Sequence, residues 1–375
     1  MSIHSSLFPA RRALALGLAT ALAGSATLAV TAPTHPAATQ VVSHCLDDGS
    51  AGSLRSAIAA AANGDLIDLS ALTCSTISLA QGQLVSNVNS LTLRGPATPL
   101  TIDAHGASGM FAHYGSDTLR FEHLSLVNGT YAGGGACVFS QGNVELDHVT
   151  VSGCSAAESA GGGVLALKNL TLESSTLSGN SALVGGAAAA NGAILVRNST
   201  ISGNSAEAIG GGLYSGGHAQ AGASVTIQNS TISGNEAGAA GGGLYLGYDA
   251  ALSIGSTIIA SNVAPAGYGA DIGSADAISI AGSHNIILDS TLTVPGDTIA
   301  LDPLLQPLAD NGGPTRTHAM AMDSPAFDAG SNIGSFEFDQ RGTGFARSVG
   351  VTTDIGAFEF QDVPDDTIFD NGFES

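Results

Sequence analysis

One unit recurs along the middle of this chain every 24 to 31 residues, and it limits the fold more than any other feature. VTVSGCSAAESAGGGVL (149–165), STLSGNSALVGGAA (175–188), STISGNSAEAIGGGLY (199–214) and STISGNEAGAAGGGLY (230–245) are versions of it. LSLVNGTYAGGGACV (124–138) is a degenerate earlier copy and STIIASNVAPAGYGADI (256–272) a later one. Aligned, they place Gly129, Cys154, Asn180, Asn204, Asn235 and Asn262 in one column, at spacings of 25, 26, 24, 31 and 27 residues. Repeats of this length indicate stacked units that share one continuous core.

Within a unit the apolar residues alternate. In SVTIQN, Val225 and Ile227 share one face while Thr226 and Gln228 share the other, which is the period of a strand. Val144 with Leu146, and Leu170 with Leu172, repeat the pattern in neighbouring units. Several short strands per unit, separated by Gly and Asn turns, suit one coil of a parallel β-helix. Coils stack at about 4.8 Å, so residues 85–300 hold about eight of them over about 40 Å. Inward columns must be apolar, as Leu126, Val151, Leu177, Ile201 and Ile232 are. Stacked asparagines can hydrogen-bond their equivalents above and below. Turns between short strands favour glycine, and the chain has 51 of them. They follow no three-residue period, which excludes collagen. Charge is sparse and acidic, 31 Asp and Glu against 10 Lys and Arg, so an electrostatic nucleic-acid binder is excluded.

The ends differ from the middle. Residues 1–32 place Arg11 and Arg12 before the apolar run ALALGLATALA and then small residues, the layout of a secretory signal peptide cleaved after Ala26 or Ala32. An uncleaved anchor is the competing reading, and no other segment approaches membrane-spanning length. Export permits disulfides. Cys45, Cys74, Cys137 and Cys154 allow three pairings, and proximity in sequence favours Cys45–Cys74 with Cys137–Cys154. Residues 41–84 are expected to cap the solenoid with a short helix in GSLRSAIAAAANGD, Ser53 at its N-cap and Gly64 at its end. Residues 301–360 form a small C-terminal module and 361–375 an acidic tail. The predicted class is therefore all-β: a parallel β-helix solenoid with an N-terminal helical cap and a small C-terminal module.

DDGSAGSLRSAIAAAANGDLIDLS resembles the N-terminal segment of CSLREA-type secreted bacterial β-helix proteins, with Ser56 in place of the usual Glu and Gly52 in place of the name-giving cysteine. The SGNxA…GGGLY units resemble repeats of polymorphic outer-membrane proteins. LDPLLQPLADNGGPTRTHAMAMDSPAFDAG, DQRG and DIGAFE are similar to the choice-of-anchor Q module. These likenesses imply export, a right-handed helix and association with a bacterial surface. They imply no activity.

Enzyme motifs such as GxSxG, HExxH and a P-loop are missing. No cofactor is expected. Glycoside hydrolysis needs two carboxylates flanking a bond. Glu122, Asp147 and Glu173 align across three coils, followed by Arg197 and Gln228, with His123 and His148 beside the first two. Such carboxylates would raise one another's pKa and could hold a proton or calcium, or be solvated strand ends. Tyr214 and Tyr245 are equivalent, should point outward beside inward Leu213 and Leu244, and are the candidate ligand-binding residues. Asp103, His105 and His113 read as turn residues. Asp310, Asp328, Asp339, Asp354 and Glu359 read as carboxylates tying loops through backbone N–H groups. The leading expectation is an exported, non-catalytic β-helix at or released from a bacterial surface, for adhesion or for binding a glycan or protein partner. A polysaccharide lyase or glycoside hydrolase on the Glu122, Asp147 and Glu173 face is the alternative, and a structural surface or biofilm component the second.

Overall fold

The computed structural model describes residues 37–216, 223–248 and 250–361. The expected signal peptide, and the acidic tail beyond Gln361, lie outside them. The chain winds through four sheets of ten, nine, eight and four strands. One coil illustrates the circuit: Asn143–Asp147 lies in the first sheet, Thr150–Ser152 in the second, Ser155–Ala160 in the fourth and Val164–Ala166 in the third. Each strand pairs in parallel with its equivalents one coil away, so repeat equivalence in sequence becomes register in space.

The core follows from that register. Leu126, Val151, Leu177, Ile201 and Ile232 pair in succession along the second sheet, and each is fully buried. Removing a side chain of that size from water contributes about 1.5–3 kcal/mol. The GGG run has a separate cause at each position. Gly210 has φ of +67°, a conformation that L side chains rarely adopt. A Cβ on Gly211 would lie 2.3 Å from the Glu236 carbonyl oxygen, and one on Gly212 2.5 Å from that of Gly243. The coils approach too closely there for any side chain.

Asparagines form the second structural column. Asn180 Nδ2 donates to Asn204 Oδ1, Asn204 Nδ2 to Asn235 Oδ1, and Asn235 Nδ2 to Asn262 Oδ1, each at 2.9 Å. Each Oδ1 also accepts the backbone N–H of the preceding rung, beginning with Cys154 N–H on Asn180. The row ends at buried Asp271, whose Oδ1 accepts from Asn262 Nδ2 at 2.9 Å and whose Oδ2 accepts the N–H groups of Leu288 and Asp289. At the other end Cys154 stands at the rung position, and it is bonded to Cys137. Cys45 is bonded to Cys74.

The N-terminal region is more solenoid-like than expected. Thr39–Val41 and Leu66–Asp68 are the first two strands of the ten-stranded sheet, and Thr76–Ser78 and Leu84–Ser86 open two others. The helix spans Leu54–Ala60, with Ser53 accepting from the Ser56 N–H. It stops at Ala61, before Gly64, which instead donates its N–H to Ser90 across the coil. No helix among the described residues is long and apolar enough to cross a membrane.

After residue 300 the chain runs back along the corner between the first and second sheets. From His123 onward each coil has one residue of left-handed φ at that corner: His123, His148, Ser174, Asn198, Asn229, Ser256 and His284. Asn198 Nδ2 donates to the Phe338 carbonyl, Asn229 Nδ2 to that of Ser331, and Ser256 Oγ accepts the Ser331 N–H. Gln340 is inserted between coils, accepting from Thr200 Oγ1 and donating to Thr176 Oγ1. A small core of Ile258, Ala260, Ile286, Met320, Ala326, Ile355 and Phe358 joins the two parts. Within the C-terminal segment the carboxylates tie loops. Asp328, Asp339, Asp354 and Glu359 all accept backbone N–H groups, as Asp310 does from Gly312. Arg341 is clamped between the rings of Phe345 and Phe358 and paired with Asp339.

Candidate functional site

Strand pairing places Arg94, Glu122, Asp147, Glu173, Arg197 and Gln228 in one column at the end of the first sheet. Arg120 lies two residues before Glu122 on the same face, and its guanidinium reaches three carboxylates. Nε donates to Glu122 Oε1 at 2.7 Å, Nη1 to Glu145 Oε2 at 2.9 Å and Nη2 to Asp147 Oδ2 at 2.7 Å. Arg94 Nε donates to Glu122 Oε2 at 2.6 Å, and His148 Nδ1 lies 2.7 Å from Asp147 Oδ1. All four carboxylate oxygens of Glu122 and Asp147 are thus engaged.

This reverses the expected electrostatics of two of the three acids. Burial pushes Glu122 up, but Arg94 and Arg120 outweigh it and hold the group below the ordinary glutamate range. Burial likewise opposes ionisation of Asp147, and the hydrogen bond to His148 with the charge of Arg120 takes it below the ordinary range. Glu173 alone is raised, chiefly by burial, with the Arg197 guanidinium 3.3 Å away offsetting only part of it. Among the described residues no group of three or more His, Cys, Asp or Glu side chains is arranged to hold a metal ion. The carboxylate column does not fit calcium, because the oxygens that would ligate it already face guanidinium or imidazole groups.

His123 and His148 stack with ring centroids 4.9 Å apart and planes 26° from parallel. Both face a cleft of about 540 Å³ bounded by Pro99 on one side and by Pro314, Gly342 and Thr343 of the C-terminal segment on the other. His113 is not a turn residue. It ends the strand Phe111–His113, fully buried, with Nδ1 2.8 Å from Ser140 Oγ and Nε2 2.8 Å from the Val88 carbonyl. His105 does occupy a turn, with its N–H on Asp103.

The architecture has a match among known families: the description "right handed beta helix region" fits residues 86–246 and 134–298, together more than half of the chain. The chain belongs to the right-handed β-helix family. No curated protein matches it. Among solved structures this β-helix is similar to the one described as the crystal structure of pectate lyase Pel9A. The TM-score is 0.49 with 12% identity, over 87% of this chain and 98% of that one.

A second face of this β-helix carries the tyrosines. Tyr214 and Tyr245 pair directly in the third sheet, with rings 6.3 Å apart and 25° from parallel, beside fully buried Leu213 and Leu244. Their outward column continues through Val85, Ala112, Phe139, Leu165 and Ala189 to Gly273. Tyr114 packs on Phe139 at 5.9 Å, and exposed Tyr248 and Tyr268 follow near the far end. The equivalent outward column of the second sheet is Thr101, Ser125, Thr150, Thr176, Thr200 and Thr231. Sequence reasoning found the tyrosine pair and missed the rest of the stripe. The signal was present, since Phe139 and Leu165 hold the tyrosine position in CVF and GVL.

Proposed function

We propose that this chain is an exported, surface-displayed β-helix that binds an extended neutral glycan without turning it over, along the outward column of the third sheet. The observation that carries the reading is the contrast between faces: the outward column of the third sheet presents Val85, Phe139, Tyr214 and Tyr245 to solvent, with small or buried apolar residues between them, while the first sheet presents ion pairs. An exposed apolar patch on a polar surface marks an interaction site. Tyrosine suits sugar because it offers an apolar ring and a polar hydroxyl in one side chain. The net charge of −21 opposes polyanions, which favours neutral chains. Export is supported by the leader-like first 32 residues and by two disulfides.

A lyase or hydrolase on the first face has less support, because Glu122 and Asp147 are occupied by cationic partners and no free carboxylate pair remains. Titrating the mature chain against a panel of neutral and acidic glycans tests both readings. Binding of a neutral glycan should fall at least tenfold in the Tyr214→Ala/Tyr245→Ala double variant with the far-UV spectrum unchanged. Undiminished binding in that variant, or turnover of a glycan abolished by Asp147→Asn, would overturn the proposal.

A further inference from the structure

The corner column between the first and second sheets carries histidine at both ends, His123 and His148 at one and His284 at the other, with Ser174, Asn198, Asn229 and Ser256 between them. Coils beneath the segment use Asn198, Asn229 and Ser256, whose side chains bond its backbone. The two coils beside its edge use His123 and His148 at equivalent backbone positions, with φ of 53° and 54° against 50° and 45° for the two asparagines. Nothing in the backbone requires imidazole there, since asparagine and serine adopt the same conformation at Asn198, Asn229, Ser174 and Ser256.

The two rings are also arranged differently from structural histidines. Asp147 is acceptor-only, so its hydrogen bond fixes the proton of His148 on Nδ1 and leaves the Nε2 lone pair directed elsewhere. Among the described residues neither that Nε2 nor any nitrogen of His123 has a hydrogen-bond partner, although both side chains are partly buried. A carboxylate behind one imidazole nitrogen is the usual support for a metal on the other. The approach is open: both rings line the cleft opposite Gly342, where even a Cβ would stand 3.7 Å from His148 Nε2. The positive charge of nearby Arg94, Arg120 and Arg341 is offset by the carboxylates each is paired with.

We propose that His123 and His148 form a two-imidazole site for one divalent transition-metal ion (zinc, copper or nickel), with Asp147 positioning His148 and water or an incoming ligand in the cleft completing the coordination. Imidazole suits these ions rather than calcium or magnesium. Metal–nitrogen bonds of about 2.1 Å at a tetrahedral angle need donor atoms about 3.4 Å apart. The ring centroids are 4.9 Å apart, and bringing two donors to that separation calls for His123 to turn about χ2, a soft torsion for histidine.

The site is tested with the untagged mature chain by zinc titration calorimetry and by electron paramagnetic resonance of the copper-loaded protein. The substitutions are His123→Asn and His148→Asn, because asparagine holds the same left-handed corner position at Asn198 and Asn229, so the fold should be retained. One ion per chain, a copper signal with two imidazole nitrogens, and at least tenfold weaker zinc binding in each single variant are expected. Asp147→Asn should weaken binding about tenfold through the lost support, and exposed His284→Asn should change nothing. Zinc binding by the double variant equal to that of the wild type, or no binding by the wild type at millimolar zinc, would overturn the proposal.

Discussion

Replacing Asn204 by alanine should be among the most damaging single changes in the solenoid, although it removes no apolar contact of note. Asn204 Oδ1 accepts both the backbone N–H and the Nδ2 of Asn180 at 2.9 Å, while its own Nδ2 donates to Asn235 Oδ1 at 2.9 Å and to the Leu177 carbonyl at 3.0 Å. Asn180, Asn235 and Leu177 are all buried. Alanine leaves the Asn180 N–H with no acceptor, and Asn180 Nδ2, Asn235 Oδ1 and the Leu177 and Ser202 carbonyls each lose one bond. Asn180 Nδ2 keeps the Val151 carbonyl, and Asn235 Oδ1 keeps the backbone N–H of residue 204. An orphaned buried donor costs about 1–3 kcal/mol and each partly satisfied group about 0.5–1.5, which sum to at least about 3 kcal/mol. The control is Asn169→Ala. Asn169 makes similar bonds, donating to Asn143 Oδ1 and accepting the Ala193 N–H, but it is exposed, so water replaces what is lost. A cost under about 1 kcal/mol is expected there. Urea unfolding of both variants followed by circular dichroism gives the comparison. Equal costs for the two would refute burial of the ladder as the source of its stability.

Two further expectations concern pH. Burial raises Glu359 to about 7, against an ordinary value of 4.5. A carboxyl raised on folding carries a stability cost absent below the unfolded value, and this cost grows until pH passes the folded one. The melting temperature of the wild type relative to Glu359→Gln should therefore decline between about pH 4.5 and 7, and parallel profiles would contradict this. Glu122 and Asp147 have the opposite sign. Depressed on folding, they contribute stability above their unfolded values that is lost as pH falls through the folded ones. Arg120→Gln removes a cation shared by both, so acid unfolding should begin at higher pH than in the wild type; an unchanged acid midpoint would show that Arg120 does not hold them.

What was legible in the sequence is what repeats. The apolar columns, the equivalence of Tyr214 with Tyr245, the asparagine rungs and the Glu122, Asp147 and Glu173 alignment all follow from matching one unit to the next, because parallel pairing turns sequence offset into register. Contacts lacking that periodicity were hidden. Arg94 belongs to a coil too degenerate to align, and Arg120 acts diagonally, across strands and one side-chain pair along. The seating of Gln340 between Thr176 and Thr200 joins residues 140 or more apart, with no pattern linking them. His113 was misplaced for a related reason. Its coil has no recognisable unit, so polarity stood in for position, and a histidine satisfied at both nitrogens can sit in a core.

The asparagine row also has a direction. Every rung presents an acceptor toward the N-terminus and a donor toward the C-terminus, so each added asparagine creates the same demand for an acceptor beyond it. Asp271 meets that demand and generates none, because a carboxylate has no proton to pass on and its second oxygen is already filled by two backbone N–H groups. It acts as a stop symbol. A duplicated coil inserted anywhere between Asn180 and Asn262 would be read through without loss, whereas one placed after Asp271 would find no donor to continue from. The number of coils in such a chain is in this sense punctuated by one residue type, and lengthening by duplication is confined to the interior of the row.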